Sequence, residues 1–257
     1  MGILNITPDS FSDGGRYERL EAAVERARQM VADGADLIDV GGESTRPGHR
    51  PVDAAEELRR VIPVIRELRR QLDVPLSIDT YKAEVARLAL EAGADIVNDI
   101  WRLTADPAMA RVVAEAGCPV ILTHNRQPAP YTRILDDLIA DLQESIDLAI
   151  RAGVTHEQII LDPGIGFAKN TEENIAVMNG LQRLTELGYP LLLATSRKRF
   201  IQETLGLPAN DVAFGTAATV AIGIAHGCDM VRVHDVREMA QVVRMSDAMV
   251  RGLGINH

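Results

Sequence analysis

The chain has 257 residues, of which 46% are hydrophobic, and it can therefore bury the core of one sizeable domain. Its formal net charge is -10, from 37 acidic and 27 basic residues. This balance argues against general binding to nucleic acid or to anionic membranes, so any site for an anion must be a local one.

The cysteines and the N-terminal residues bear on metal binding and compartment. Cys118 and Cys228 lie far apart, and neither belongs to a CxxC pair or to a Cys/His cluster with metal-ligand spacing. We predict that both are buried structural thiols. The N-terminus lacks the charged and apolar regions of a signal peptide, and no apolar run is long enough to span a membrane. These features predict a soluble cytoplasmic protein.

Short apolar segments alternate with longer segments of helical periodicity along the whole chain, which is typical of βα units and a parallel sheet. The predicted strands are residues 1–5, 37–40, 76–79, 96–98, 119–122, 159–162, 191–195 and 230–234. The predicted helices are residues 20–32, 54–71, 82–92, 107–116, 135–152, 171–187, 198–205, 214–225 and 236–251. The seventh unit has two helices, and each other unit has one.

Glycines just past six helices indicate left-handed C-caps: Gly34, Gly93, Gly117, Gly153, Gly188 and Gly227. An open doubly wound sheet would show the same alternation of strands and helices, but no GxGxxG sequence follows any predicted strand. We therefore predict an α/β fold, a single (β/α)8 TIM barrel over residues 1–257 with long flexible βα loops 1 and 2.

Polar or charged residues stand at or just after the end of each predicted strand. They are Asn5, Glu43, Asp79, Asn98, His124, Asp162, Ser196, Arg232 and His234. In a (β/α)8 barrel the loops after all eight strands share one face, so these side chains converge although they are distant in sequence. The sequence therefore predicts an active site on that face.

Two of the predicted βα loops, residues 7–15 and 41–48, are long and rich in glycine, proline and hydroxyl residues. Phe11 in the first loop and Arg46 in the second are unusual residues for loops that only connect a strand to a helix. Ordinary polar turns are the alternative, but we favour loops that close over a substrate.

Asp79, Asn98 and Asp162 together offer acceptors and an amide that suit a flat, nitrogen-rich heterocycle. Each of them alone proves little, because an aspartate after a strand is often only the N-cap of the next helix. The glycines of residues 162–167 also allow a ligand to approach the main chain, although this segment could be a plain turn.

Three cations, Arg197, Lys198 and Arg199, open a predicted helix, where the helix dipole disfavours positive charge. An anion or an electron-rich ring is the favoured partner over a solvated face. Arg232 and His234 alternate with valines and so point the same way. With Asn5 on the neighbouring first strand they predict a diphosphate clamp with a Mg²⁺ site, a structural core histidine being the alternative.

The chain resembles the dihydropteroate synthase family over essentially its whole length. The segments that carry the resemblance occur in the family's order: GILNITPDSFSDGG (2–15), GESTRPG (42–48), SIDT (77–80), NDIW (98–101), DPGIGF (162–167), SRK (196–198) and RVHD (232–235). The resemblance implies an alkyl transferase that condenses 6-hydroxymethyl-7,8-dihydropterin diphosphate with p-aminobenzoate. The products are 7,8-dihydropteroate and diphosphate, formed by a dissociative displacement. It also implies Mg²⁺ on the leaving group and a homodimer.

The resemblance further implies a role for each matching residue. The implied catalytic residues are Asp79, Asp162, Lys198, Asp13 and Arg46. The implied pterin-binding residues are Asp79, Asn98, Ile100, Asp162, Phe167 and Lys198. The implied diphosphate-binding residues are Asn5, Thr45, Arg232 and His234, and Asn5 is also the implied metal ligand. The implied p-aminobenzoate-binding residues are Phe11, Pro47, Lys198 and Arg199.

Thr123, Ala194 and Arg199 depart from the family pattern, in which methionine, glycine and serine are usual. Arg199 stands where the p-aminobenzoate carboxylate binds, so it either strengthens carboxylate binding or crowds the pocket. Two rival interpretations remain: a pterin-binding methyltransferase of the corrinoid-linked type, and a pterin-binding protein without catalysis. His124 is compatible equally with a substrate role and with holding the loop after the fifth strand.

Overall fold

The computed structural model describes residues 1–6, 16–43, 51–127 and 130–252. All eight predicted strands are present, and their bounds are β1 (Gly2–Asn5), β2 (Ile38–Gly41), β3 (Leu76–Asp79), β4 (Ile96–Asp99), β5 (Val120–Thr123), β6 (Ile159–Asp162), β7 (Leu192–Leu193) and β8 (Met230–Val231). The last two are shorter than predicted. Beyond Val231, Arg232 N still donates to Leu193 O of β7 at 3.0 Å, and on the other side of the strand Val233 pairs with Gly2 of β1.

Neighbouring strands pair in parallel, with β1 to β6 in sequence order in one sheet and β7 beside β8 in a second. A bridge between Leu161 and Leu191 connects β6 to the start of the second sheet, and a bridge between Gly2 and Val233 connects its other side to β1. Ile3 N donates to Val233 O at 3.1 Å. The strands therefore form a closed ring, which confirms the predicted barrel and places the loops after the strands at one end.

Helices follow the strands and cover the outside of the ring. They are α1 (Arg16–Ala32), α2 (Ala54–Gln71), α3 (Ala83–Ala92), α4 (Met109–Ala116), α5 (Ile134–Ala152), α6 (Thr171–Asn179), α7 (Leu181–Thr185), α8 (Arg199–Leu205), α9 (Ala213–Ala225) and α10 (Val236–Val250). The sequence of α2 explains its bounds, because Asp53 accepts from Glu56 N at 2.7 Å and caps the N-terminus. Arg69 and Arg70 in its last turn complement the helix dipole.

The single helix predicted for residues 171–187 is wrong, because the structure divides it into α6 and α7 at Gly180. A Cβ at residue 180 would lie 2.3 Å from a terminal methyl of Leu135, so a larger residue here would require the Leu135 side chain to move. Periodicity alone did not reveal the break, since the contact comes from α5.

The six glycines predicted as left-handed C-caps all have positive φ, between 63° and 115°. Gly93, Gly117 and Gly153 each donate their N–H to carbonyls of the last helical turn, as such caps do. These caps confirm the predicted ends of the helices.

Alternation along the strands separates two buried faces. Leu76 and Ile78 of β3 belong to the apolar core, whereas Ser77 and Asp79 are buried on the inner face of the ring. Cys118 and Cys228 are free and buried, which confirms their structural assignment. No helix among the described residues is long and apolar enough to cross a membrane. The inner face is thus where polar groups concentrate.

Candidate active site

Five ionisable side chains gather on the inner face of the barrel, and we call them the cavity cluster: Asp39, Asp79, Asp162, Lys198 and Arg232. Asp39 lies within β2, is fully buried, and accepts hydrogen bonds from Ser77 Oγ and from Asn98 Nδ2, the latter 3.3 Å from Oδ2. Nδ2 of Asn98 thus faces Asp39, and Thr123 Oγ1 donates to Asn98 Oδ1 at 3.5 Å. An amide oxygen has a second lone pair, so a ligand N–H can also be accepted there.

Arg232 connects two carboxylates of the cavity cluster. Its Nε donates to Asp39 Oδ2 at 2.6 Å and its Nη2 to Asp79 Oδ2 at 2.7 Å. Burial would lower the pKa of this guanidinium, but the two carboxylates raise it above its ordinary value. His234 lies two residues farther along the chain, and its Nδ1 is 3.0 Å from Ser196 Oγ. Arg232 is thus held by two carboxylates of the cavity cluster, whereas His234 contacts Ser196.

The cavity cluster shifts the pKa values of its own members. Burial raises the pKa of Asp79 to about 7, although Arg232 opposes this shift. Burial likewise raises the pKa of Asp162, against the hydrogen bond from Gly164 N at 2.7 Å. Desolvation lowers the pKa of Lys198 to about 8, and Arg232 adds to the change. Both carboxylates and the lysine thus titrate closer to neutrality than usual, which is common at functional sites.

A cavity of about 230 Å³ opens next to the cluster. It is lined by Asp79, Ile100 and Phe167, three of the residues implied for pterin binding, and also by Trp101, Asn125, Thr80, Tyr81, Glu43, Glu57 and Pro51. The Lys198 ammonium lies 4.3 Å from the centroid of the Phe167 ring. Flat apolar walls with convergent polar groups suit a planar heterocycle.

The three consecutive cations after β7 separate in the structure. Arg197, at a φ of 58°, pairs with Asp235 through Nε at 3.0 Å and Nη2 at 2.5 Å. Arg199 pairs with Glu203 at 2.6 Å on the surface of α8, and its side chain is 79% exposed. Lys198 instead turns inward to the ring of Phe167, which lines the cavity. A shared anion for all three is therefore not what this geometry favours.

Asn5 and Asp79 approach each other across Gly41. A Cβ at residue 41 would lie 3.5 Å from Asn5 Oδ1 and 3.7 Å from Asp79 Oδ2, so both oxygens lie near this glycine, and Asp79 Oδ2 also accepts from Arg232. Among the described residues, no group of three His, Cys, Asp or Glu side chains could hold a metal by itself. Amide and carboxylate oxygens nevertheless fit Mg²⁺, which takes few protein ligands when a substrate phosphate supplies the others.

The predicted loop residues Phe11, Asp13, Thr45, Arg46 and Pro47 lie outside the described residues. At the base of the second loop, Glu43 accepts from Lys82 Nζ at 2.5 Å. The same ammonium is 2.5 Å from Glu57 Oε2. Lys82 is also the N-cap residue of α3, so the alternative of Asp79 as that cap does not hold.

Comparison with known proteins identifies the family. The family model described as pterin binding enzyme matches residues 1–234. The chain belongs to the pterin binding enzymes. A dihydropteroate synthase of Bacillus subtilis (strain 168) is 55% identical over 257 residues, which is 100% of this chain and 90% of that protein.

Two solved pterin binding enzymes resemble the structure closely. A Clostridium difficile dihydropteroate synthase, crystallised in the presence of pteroic acid, has a TM-score of 0.95 and 50% identity, covering 97% of this chain and 95% of its own. A Xanthomonas albilineans dihydropteroate synthase with 4-aminobenzoic acid has a TM-score of 0.93 and 42% identity. The match covers 96% of this chain and 91% of that chain. These likenesses agree with the barrel and with the sequence resemblance.

Sequence reasoning missed two parts of this pterin binding enzyme. Asp39 was overlooked, although a lone acidic residue inside the apolar run 37–40 is a readable signal of a paired buried charge. Lys169 was also overlooked, and its Nζ lies 2.9 Å from Nδ1 of His124. The sequence spacing of Lys169 and His124 does not predict that contact, because only the fold brings the two residues together.

Proposed function

We propose that the protein is a dihydropteroate synthase, which condenses 6-hydroxymethyl-7,8-dihydropterin diphosphate with p-aminobenzoate. The observation that carries this proposal is the cavity beside Asp79, Ile100 and Phe167, with buried ionisable groups on one side of it. Relatives named dihydropteroate synthase over the full chain support the same conclusion. The protein is thus a transferase, and the transferred group is the pterin methylene.

Recognition of the pterin falls to the carboxylates, the amide and the lysine around the cavity. Asp79 and Asp162 accept ring N–H groups, and Asn98 presents its Oδ1, since its Nδ2 is held by Asp39. Lys198 supplies N–H donors to ring acceptors, and Ile100 and Phe167 form the flat walls. Buried charged partners make such hydrogen bonds strong, because little water competes with them.

The diphosphate binds toward Asn5, Arg232 and His234, with Thr45 from the second loop. Arg232 already bonds Asp39 and Asp79, so it joins the pterin side of the cavity to the diphosphate side. Mg²⁺ would be held by Asn5 Oδ1 with the diphosphate oxygens, and it would neutralise charge on the leaving group. The position of Asn5 Oδ1 and Asp79 Oδ2, both beside Gly41, supports that assignment.

The reaction is a dissociative displacement. The bond from the pterin methylene to oxygen breaks, its electron pair leaves with the diphosphate, and the arylamine nitrogen then attacks and releases a proton. Arg232 and His234 stabilise charge that grows on the diphosphate, while Asp79 and Asp162 stabilise the cationic pterin. Asp13 and Arg46 are assigned to the loops that keep water from the cation.

p-Aminobenzoate is assigned to Lys198, Phe11, Pro47 and Arg199. The pairing of Arg199 with Glu203 at 2.6 Å means that a carboxylate at this position must compete with a residue of the protein. Exposed pairs of this kind are weak, so the competition costs little.

Release of diphosphate from the pterin substrate tests the proposed function. We expect release that depends on p-aminobenzoate and produces dihydropteroate. Methyl transfer from a methylated pterin would instead support the corrinoid-linked alternative, and tight pterin binding without release would support a non-catalytic protein.

We also propose a homodimer in the cytoplasm. Helices α9 and α10 pack against each other, and together they carry exposed apolar side chains, which support a dimer interface. These side chains are Phe214, which is 93% exposed, Ile222, Met245 and Met249. Light scattering should give twice the mass of 28.0 kDa, and Phe214→Asp with Met249→Asp should give the monomer. A monomeric unchanged chain would contradict this assignment.

A further inference from the structure

Lys169, in the loop between β6 and α6, places its ammonium group inside the protein. Its Nζ donates to Gly164 O at 3.0 Å and to Phe167 O at 3.1 Å, and it lies 2.9 Å from Nδ1 of His124. A protonated lysine has three N–H donors, so each donor has one acceptor. Burial lowers the pKa of Lys169 to about 7, yet only the protonated form satisfies all three acceptors.

The ring of His124 extends this contact to α5. Its Nε2 lies 2.9 Å from Asp141 Oδ2, which also accepts from Arg126 Nε at 2.8 Å. Desolvation opposes the shift, but the hydrogen bonds from His124 and Arg126 lower the pKa of Asp141 to about 2. An ionised Asp141 requires the proton of His124 on Nε2, which leaves Nδ1 as the acceptor for Lys169. We call Lys169, His124 and Asp141 the Lys169 chain.

The loop that Lys169 holds has a left-handed backbone at three residues, one of which is not a glycine. Gly164, Gly166 and Ala168 have φ values of 65°, 83° and 47°, and the last of these carries a side chain. A Cβ at residue 164 would lie 1.8 Å from His124 O, so the loop also packs directly on the backbone after β5. Such a conformation persists only when several contacts fix it.

The opposite side of the same loop carries Asp162 of the cavity cluster and Phe167 of the cavity wall. Asp162 Oδ1 accepts from Gly164 N at 2.7 Å, so the position of Gly164 helps to orient this carboxylate. Phe167 lines the cavity and contacts the Lys198 ammonium at 4.3 Å. The two carbonyls bound by Lys169 belong to Gly164, whose N–H holds Asp162, and to Phe167 itself.

We propose that Lys169 is a positioning residue for pterin recognition: its three hydrogen bonds fix the loop of residues 162–167 so that Asp162 and Phe167 face the ring. Asp141 orients the ring of His124, and His124 Nδ1 is the third acceptor of the Lys169 ammonium. This inference deepens the proposed function and rests on it, because the ligand concerned is the pterin diphosphate. It assigns to Lys169 no contact with substrate.

The test compares Lys169→Met with the unchanged protein in steady-state release of diphosphate. We expect the KM for the pterin substrate to rise at least about ten-fold, with the KM for p-aminobenzoate within about two-fold. Lys169→Arg keeps the charge and part of the hydrogen bonding, so it should restore part of the pterin affinity. If Lys169→Met does not fold, Lys169→Arg carries the test, with a pterin KM that must exceed the unchanged value.

Arg69→Met is the matched control, because Arg69 also holds two backbone carbonyls, Leu72 O at 3.1 Å and Val74 O at 2.7 Å, at the other end of the barrel. It should lower Tm without changing either KM. Lys169→Met with an unchanged pterin KM and a lower Tm would show a structural role only and overturn the inference. An unchanged protein that releases no diphosphate would overturn the proposed function instead, so the two failures are distinct.

Discussion

The cavity cluster and the Lys169 chain are both buried groups of charge near the same end of the barrel, but they use their hydrogen bonds differently. In the Lys169 chain, every N–H of the ammonium has an acceptor within the protein. In the cavity cluster, the Lys198 ammonium contacts the Phe167 ring and, within the described part of the chain, makes no hydrogen bond. Its donors are therefore available to a ligand.

The difference separates groups that bind from groups that position. A buried ammonium without acceptors is costly, and its pKa of about 8 reflects that cost. A ligand that supplies acceptors recovers the cost, which gives affinity and selects the ligand. The Lys169 chain is satisfied before any ligand arrives, so its effect must come through the geometry of the loop.

The largest effect is expected for Asp79→Asn and Lys198→Ala, which each remove a binding group of the cavity cluster. We expect kcat/KM to fall by about a thousand-fold or more, since loss of a buried charged partner costs about 2–5 kcal/mol or more. Because the raised pKa of Asp79 shows that its ionised form is costly in the folded protein, Asp79→Asn should not lower Tm by more than about 4 °C at pH 8. Activity within ten-fold of the unchanged protein in either variant would remove that residue from the site.

The next effect concerns the loop held by the Lys169 chain. Gly164→Ala adds a Cβ 1.8 Å from His124 O at a φ of 65°, so we expect a loss of about 3 kcal/mol and a Tm lower by roughly 6–12 °C. Gly117→Ala is the control, because Gly117 has a φ of 63° but nothing within 4 Å of its Cβ position. That variant should lose only about 1 kcal/mol. Equal melting temperatures for both variants would mean that the close approach to His124 is unimportant.

A smaller effect, about ten-fold per pH unit, is expected in the pH profile of kcat/KM for the pterin substrate. The profile should rise as Asp79, with a pKa of about 7, loses its proton and becomes an acceptor. It should fall as Lys198, with a pKa of about 8, loses the proton that it donates. A narrow maximum between the two values is the expected result. An acid limb that is unchanged in Lys198→Arg but absent in Asp79→Asn assigns that limb to Asp79, and a flat profile from pH 6 to 9 would exclude both assignments.

The smallest effect is expected for Arg199→Ser. A charge-assisted hydrogen bond from Arg199 to the carboxylate would correspond to a rise of about ten-fold in the KM for p-aminobenzoate. The pair with Glu203 and the 79% exposure of Arg199 reduce the expected rise to about three-fold. Glu203→Gln frees Arg199 and should lower the same KM slightly. If Arg199→Ser binds p-aminobenzoate as well as the unchanged protein does, Arg199 belongs to the surface of α8 alone.

The sequence by itself determined the architecture and the set of candidate residues. Local rules suffice for this, because strand alternation, helical periodicity and glycine caps depend on neighbours a few positions away. The ends of α3, α4 and α5 at Gly93, Gly117 and Gly153 are examples. Family motifs then selected Asp79, Asn98, Asp162 and Lys198, of which Asp79, Asp162 and Lys198 share one buried cluster.

Only the tertiary structure decided which partners these residues have. Arg232 bonds Asp39 and Asp79, which lie 193 and 153 positions away, and no periodicity encodes such contacts. Arg197, Lys198 and Arg199 are consecutive, yet a left-handed residue and the start of α8 send them to Asp235, to the cavity and to Glu203. Pairing energies depend on distance and burial, and the closed ring of strands sets both.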